Sequence, residues 1–165
     1  MKLSATFWGA FVAVVLVIGG FALLIIFGDG QSRTDQSLEE LVASCTTDMA
    51  TQFHIHPHLA IVINGVQQTV PANIGIDSGC MHPLHTHDID GIIHVESPAK
   101  RDFTLENFFS VWGKTFNRQQ ILDAVADETH TIVMTVNGKV SDDFENLVLK
   151  DQDQIVITFA ATSTP

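Results

Sequence analysis

The stretch Leu59-Ala60-Ile61-Val62-Ile63-Asn64-Gly65-Val66-Gln67-Gln68-Thr69-Val70 decides the fold, because two strand-like runs flank an Asn-Gly pair. Asn and Gly tolerate the positive φ that a type I′ turn needs, so this pattern predicts a β-hairpin. A second pair, Asn137-Gly138, lies between Thr131–Val136 and Lys139-Val140 and predicts another hairpin in the same way. The sequence therefore predicts a domain built mainly on antiparallel strands.

Helices are expected at two places around these strands. Thr104 is typical of a helix N-cap and Gly113 of a helix end. The apolar residues between them recur on one face, as core residues do: Leu105, Phe108, Phe109, Val111 and Trp112. A second, short helix is predicted within 36–49, and a last strand over 154–159. This order predicts a small α+β domain with a mainly antiparallel sheet and one or two helices.

The segment Phe7–Phe27 contains no charged residue. Its length at 1.5 Å per residue is roughly 31 Å, enough to cross a bilayer. Lys2 precedes it, which favours a cytoplasmic amino terminus and an extracytoplasmic remainder. A cleavable signal peptide is the alternative, although its apolar region is usually shorter. We expect an anchor at 1–28, a linker with a possible short helix at 29–50 and a His-rich domain at 51–165.

The net charge limits which partners the protein can bind, and the cysteines bear on the cellular compartment of its domain. The formal net charge is −11 and no basic cluster is present, which argues against nucleic acid as a partner and favours cations. The two cysteines, Cys45 and Cys80, predict one disulfide if the domain lies outside the cytoplasm. The alternatives are two separate thiols, or Cys80 as a metal ligand.

Histidines are the most informative residues, since seven of the eight lie between positions 54 and 94. His54, His56 and His58 alternate, so on a strand they would share one face. His85 and His87 alternate in the same way. His82 and His130 stand outside this pattern and are read as ordinary residues.

A further hairpin is predicted around Asp90-Gly91. A two-residue turn there would place His87 opposite His94 and His85 opposite Glu96, bringing all four side chains to one face. Imidazole rings at this spacing can converge on one metal ion. The alternative is a set of surface histidines on a polar strand face. The prediction depends on the register, since a slip of one residue would move His94 to the other face.

The predicted metal ligands are six histidines: His54, His56, His58, His85, His87 and His94. Imidazole suits copper and zinc, and an oxidising compartment with more than three histidines favours copper over zinc. Glu96 is a candidate ligand, hydrogen-bond acceptor or general base, with no ranking among these. Asp88 could accept a hydrogen bond from the outer nitrogen of a ligand histidine. Met81 is a candidate soft ligand for Cu(I).

The residues from 52 to 160 resemble a family of bacterial and archaeal membrane-anchored proteins. The resemblance rests on His54-Ile55-His56-Pro57-His58-Leu59, on Cys80 followed by Leu84-His85-Thr86-His87-Asp88, and on Gly91-Ile92-Ile93-His94-Val95-Glu96-Ser97. This is an HxHxHL…C…LHTHDxxGxIHxES signature, and it implies a membrane-anchored protein without implying an activity. Separately, residues 147–157 resemble the closing strand of β-grasp domains, which is a hint about the fold only.

Three functions follow as hypotheses. The first is a metal-binding or metal-delivery protein for copper or zinc, either alone or as an accessory of a larger membrane complex. The second is a metalloenzyme in which three histidines hold a water-activating ion and Glu96 acts as the base. The third is a histidine face that contacts another subunit, with metal incidental.

Overall fold

The computed structural model of the protein describes residues 36–47 and 51–162. These belong to the second of two compact units, Arg33–Pro165. Within the described ranges, no helix is long and apolar enough to span a membrane. The span predicted at Phe7–Phe27 lies outside the described residues and stays a prediction.

The described elements follow one another in an order that alternates short strands with two helices. They are α1 (Leu38–Ala43), β1 (Phe53–Ile55), β2 (His58–Ile63), β3 (Val66–Gln68), β4 (Ile76–Asp77), β5 (Cys80–Met81), β6 (Leu84–His85), β7 (His94–Ser97), α2 (Leu105–Trp112), β8 (Phe116–Asn117), β9 (Gln120–Ile121), β10 (Ala124–Val125), β11 (His130–Val136), β12 (Lys139–Ser141), a 3₁₀ turn (Phe144–Asn146) and β13 (Gln154–Ala161).

The largest sheet has five strands in the order β12-β11-β13-β2-β3. Its central pair, β13 and β2, is parallel, with Ile155 opposite Leu59 and Ile157 opposite Ile61, and its other pairs are antiparallel. These four side chains are at most 1% exposed. The expected α+β domain with a mainly antiparallel sheet is confirmed. The resemblance of the last strand to β-grasp domains remains a prediction.

Both Asn-Gly hairpins are confirmed. Asn64 and Gly65 have φ of 51° and 79°, and Asn137 and Gly138 have φ of 52° and 77°. Positive φ at both central residues is the requirement of a type I′ turn. The residues next to each turn pair as a two-residue loop demands, for example Ile63 with Val66.

Helix α2 also begins and ends as predicted. The Thr104 side chain accepts a hydrogen bond from the Asn107 amide, and Gly113 ends the helix in the left-handed conformation with φ of 67°. Leu105, Phe108 and Phe109 are buried, as expected of core residues. The helix contacts β6, whose Leu84 is fully buried.

Helix α1 is shorter than the predicted range of 36–49. It begins with a capping box between Ser37 and Glu40 and ends at Ala43. The chain then leaves the helix because Cys45 forms a disulfide and Thr46 pairs with Met81. Leu41 and Val42 of α1 lie in the same core as the sheet residues, so this helix packs with the domain.

Candidate metal centre

A second sheet, in the order β1-β7-β6, presents the histidine face. His54 on β1 lies opposite Glu96 on β7, and His94 on β7 lies opposite His85 on β6. Residues two apart on a strand share a face. The register of β1 with β7, carried one step further, also sets His56 beside His94. The central strand therefore holds one histidine with histidine neighbours on both sides.

The register predicted for the second hairpin is wrong. His94 lies opposite His85 and not opposite His87, so residues 86–93 form a longer loop. Of the pair Asp90-Gly91, only Gly91 has a positive φ, 82°, and a type I′ turn needs two. The physical reason is that this loop pairs elsewhere, because the Leu59 N–H donates to the Gly91 carbonyl at 2.9 Å.

The first group of histidines, which we call the His85 triad, comprises His85, His87 and His94. Its ring centroids are 4.8 Å apart for His85 and His87, 5.4 Å for His85 and His94, and 4.6 Å for His87 and His94. One nitrogen from each ring lies within 4.8 Å of the other two. Ligands at about 2.0–2.1 Å from a tetrahedral ion are about 3.4 Å apart, so small side-chain rotations suffice.

The second group, which we call the His54 triad, comprises His54, His56 and again His94. Its ring centroids are 4.3 Å apart for His54 and His56, 5.9 Å for His54 and His94, and 4.8 Å for His56 and His94. One nitrogen from each ring again lies within 4.8 Å of the others. Five predicted ligands are thus brought together in two groups that share His94.

The hydrogen bond made by His85 determines which of its nitrogens can bind a metal. Its Nδ1 lies 2.9 Å from the carbonyl oxygen of His82, and a carbonyl can only accept. Nδ1 therefore carries the proton, and Nε2 of the neutral ring keeps a free lone pair. His85 Nε2 and His94 Nδ1 are buried without any hydrogen-bond partner. Buried ring nitrogens normally have a partner, so both atoms fit a metal ion.

Electrostatics keep the two central rings neutral. Burial lowers the pKa of His85 below the ordinary imidazole value. Burial, followed by the neighbouring His87 and His85, lowers the pKa of His94 to about 4. Neutral imidazole is the form that coordinates metal ions. Both rings are consequently ready to bind at pH 7 without first releasing a proton.

Two carboxylates border the His54 triad. Glu96 Oε1 lies 3.1 Å from His54 Nε2, and Asp151 Oδ1 lies 3.8 Å from His56 Nδ1. Asp151 also accepts the backbone N–H of His56 at 2.8 Å. A carboxylate behind a ligand histidine orients the ring and makes it a better donor. Of the roles expected for Glu96, that of an acceptor beside a histidine matches this contact.

The sixth predicted ligand, His58, lies outside both triads. It starts β2, where it pairs with Gln154, and its other neighbour is Ile92, so no histidine faces it across the strands. Asp88 is exposed in the loop 86–93. The suggested role of Asp88 and the suggested Cu(I) ligand Met81 have no further support.

The predicted disulfide between Cys45 and Cys80 is present. Cys45 also belongs to a third group of side chains, with Asp77 and His82. The candidate ligand atoms of this group lie within 4.8 Å of one another. A disulfide sulfur has no thiolate lone pair to offer a metal. This group is therefore no metal site in the oxidised domain, and Cys80 is no ligand either.

Sequence reasoning missed two contributors to the site. One is the His82 carbonyl, which selects the tautomer of His85, and the other is Asp151, which lies 95 positions from His56 along the chain. A backbone carbonyl has no side-chain signature. Only the pairing of β13 with β2 brings Asp151 near, because Asp151 lies shortly before β13 and His56 shortly before β2.

Comparison with known proteins gives no further identification. No family model, no curated protein and no solved structure matches the chain. The geometry of the site defines a histidine-rich cluster that could hold a metal ion.

Proposed function

We propose that this protein binds a transition-metal ion through its histidine cluster and acts as a metal-binding or metal-delivery protein. The observation that carries the proposal is the pair of buried, unpartnered nitrogens, His85 Nε2 and His94 Nδ1, within a group of five rings. An unpaired buried polar atom costs about 1–3 kcal/mol. A metal ion would remove that cost at both atoms together.

We assign copper ahead of zinc as the ion. Imidazole nitrogen suits both metals. Among divalent first-row ions, Cu²⁺ binds such ligands more tightly than Zn²⁺ does. The Cys45–Cys80 disulfide supports an oxidising compartment, in which Cu(II) is the stable form.

The location follows from the same reasoning. We assign the segment Phe7–Phe27 as a single membrane span and the histidine domain to the extracytoplasmic side, on the strength of the uncharged run and the disulfide. A domain tethered in this way is suited to passing metal to a membrane protein partner, or to serving as an accessory subunit of a larger complex.

The alternative of a metalloenzyme finds less support. It requires an open ligand position next to a cleft large enough for a substrate, with Glu96 free to act as a base. Glu96 instead lies 3.1 Å from His54 Nε2. A cleft of about 730 Å³ lies between α1 and α2, lined by residues that include His82 and Glu106 but none of the five histidines. Binding without catalysis is the simpler reading of this arrangement.

Elemental analysis of the purified full-length chain tests the proposal. We expect stoichiometric uptake of Cu(II), with weaker uptake of Zn²⁺, and an EPR spectrum of nitrogen-ligated copper. The triple variant His85→Ala/His87→Ala/His94→Ala should lose this binding. His58→Ala and His130→Ala are matched controls, because these histidines lie outside both triads, and they should bind as the wild type does. Metal content unchanged in the triple variant would overturn the proposal.

A further inference from the structure

The two triads compete for one residue. His56 and His54 approach His94 from the β1 side, with His56 at 4.8 Å between ring centroids, and His87 and His85 approach it from the β6 side, with His87 at 4.6 Å. Neither triad is complete without His94. The cluster is therefore two overlapping three-histidine positions and not one site with five equal ligands.

A neutral imidazole has one lone pair available to a metal, because its other nitrogen carries a proton. His94 can thus complete only one triad at a time. Two ions could be held together only if His94 lost its remaining ring proton and bridged them as imidazolate. With a neutral ring, occupation of one position excludes occupation of the other.

The two positions differ in surrounding charge and in whether one of their ligands is fully buried. His54 is exposed, and the carboxylates of Glu96 and Asp151 border its triad, so this side attracts cations from solvent. His87 of the other triad is exposed as well, but His85 is fully buried, and its Nε2 is already set for coordination by the hydrogen bond that Nδ1 donates to the His82 carbonyl. A preset ligand loses less conformational entropy on binding, which favours retention on this side.

We propose that the cluster holds a single ion that enters at the His54 triad and passes to the His85 triad, with His94 as the ligand common to both positions. This inference rests on the proposed metal binding and gives it a direction. The exchange replaces the His54 and His56 nitrogens by those of His85 and His87. The ion keeps its charge, and where it changes from one nitrogen of His94 to the other, the ring proton moves the opposite way through water. Reversal of the same exchange would present the ion to a partner.

Two double variants of the full-length chain separate the positions. His54→Ala/His56→Ala leaves the His85 triad intact, and His85→Ala/His87→Ala leaves the His54 triad intact. We expect each to bind one Cu(II), as the wild type does, with a single EPR species apiece. The first should take up Cu(II) at least ten-fold more slowly in stopped-flow mixing. The second should release Cu(II) to a chelator at least ten-fold faster. His94→Gln should weaken Cu(II) binding at least ten-fold.

Several outcomes would overturn the inference. Two tightly bound Cu(II) ions per wild-type chain, magnetically coupled in EPR, would indicate a bridging His94. Uptake and release rates unaffected by the loss of His54 and His56 would remove the entry position, while leaving the proposed function intact. If no form of the chain bound Cu(II) or Zn²⁺, the proposed function itself would fail. Because His85 is buried, His87→Ala alone is the substitute if the second double variant does not fold, and unchanged release from it would count against the proposal.

Discussion

At the scale of single residues, the cluster is organised by which ring nitrogens have partners. His54 Nε2 and His56 Nδ1 face carboxylates, and His85 Nδ1 faces a carbonyl, whereas His85 Nε2 and His94 Nδ1 face none within the described residues. A folded domain keeps buried polar atoms unpaired only at a cost. The two unpaired nitrogens belong to the rings at the centre of the cluster, and a bound metal ion there would remove their destabilising effect.

Another single residue, Asp127, gives a pH prediction. Its Oδ1 accepts the Thr129 hydroxyl and backbone N–H, both at 2.7 Å, and the His130 backbone N–H at 2.8 Å. These bonds, that of the Thr129 hydroxyl first, lower the pKa of Asp127 to about 2. A lowered carboxyl pKa stabilises the fold above the unfolded value near 4, and this contribution is lost as the pH falls towards 2. Asp127→Asn should therefore lower Tm at pH 6 and lower it much less at pH 2.

The control for this prediction is Glu128→Gln. It removes a charge from the same loop but leaves the Asp127 carboxylate, which accepts the hydrogen bonds before β11, unchanged. The His130 ring also neighbours this carboxylate, with Nδ1 3.5 Å from Asp127 Oδ1. If thermal melts of the Asp127 and Glu128 variants differed from the wild type equally at both pH values, the hydrogen bonds to Asp127 would have no role in acid stability.

At the scale of elements, the loop 86–93 explains why the histidine cluster could be predicted although the register of its hairpin could not. Asp-Gly is a strong local signal for a tight turn. Here the Asp90 carboxylate accepts the Ile92 N–H, and Gly91 docks on Leu59 of β2, a contact that local sequence cannot reveal. The resulting register differs from the predicted one by two residues. Since side chains alternate with a period of two, His85 and His94 stay on the predicted face.

The same loop gives a prediction about Gly91. Its φ is +82°, and a Cβ there would collide with the Leu59 carbonyl oxygen. Gly91→Ala should therefore lower the free energy of unfolding by about 2 kcal/mol or more, since backbone strain and steric overlap add. Copper affinity should fall as well, because the loop joins His85 and His87 to His94. Chemical denaturation and a Cu(II) titration measure the two effects.

Gly65→Ala is the matched control for Gly91→Ala. Its φ, +79°, is nearly the same, but a Cβ at Gly65 would meet nothing within 4 Å. Gly65→Ala should lower the free energy of unfolding only by the strain of an alanine in the left-handed conformation, about 1 kcal/mol. Copper binding should be unchanged. Equal losses of stability in both variants would mean that the approach of Gly91 to β2 has no energetic weight.

At the scale of the whole molecule, the predictable features are those that depend on neighbours along the chain. The turns at Asn64-Gly65 and Asn137-Gly138 and the cap at Thr104 are set by residues within a few positions, and all three are confirmed. The parallel pairing of β13 with β2 joins residues almost a hundred positions apart. This pairing brings Asp151 next to His56, and no pattern in the nearby sequence predicts the pairing. Five of the six predicted ligands could still be named from the sequence, because the alternating spacing in 54–58 and 85–87 sets the histidines of each segment on one face. The pairing of β1 with β7, which joins the two segments, is not local.

The disulfide gives the last prediction, because it joins helix α1 to the strands that lead into the cluster. Cys45 and Cys80 are separated by 35 positions, and closing such a loop in the unfolded chain contributes about 4 kcal/mol to stability. Cys45→Ser/Cys80→Ser should lower the free energy of unfolding by about that amount in chemical denaturation. Dithiothreitol should destabilise the wild type to the same extent and leave the variant unaffected. A variant as stable as the oxidised wild type would mean that Leu41, Val42 and the pairing of Thr46 with Met81 hold α1 in place without the covalent bond.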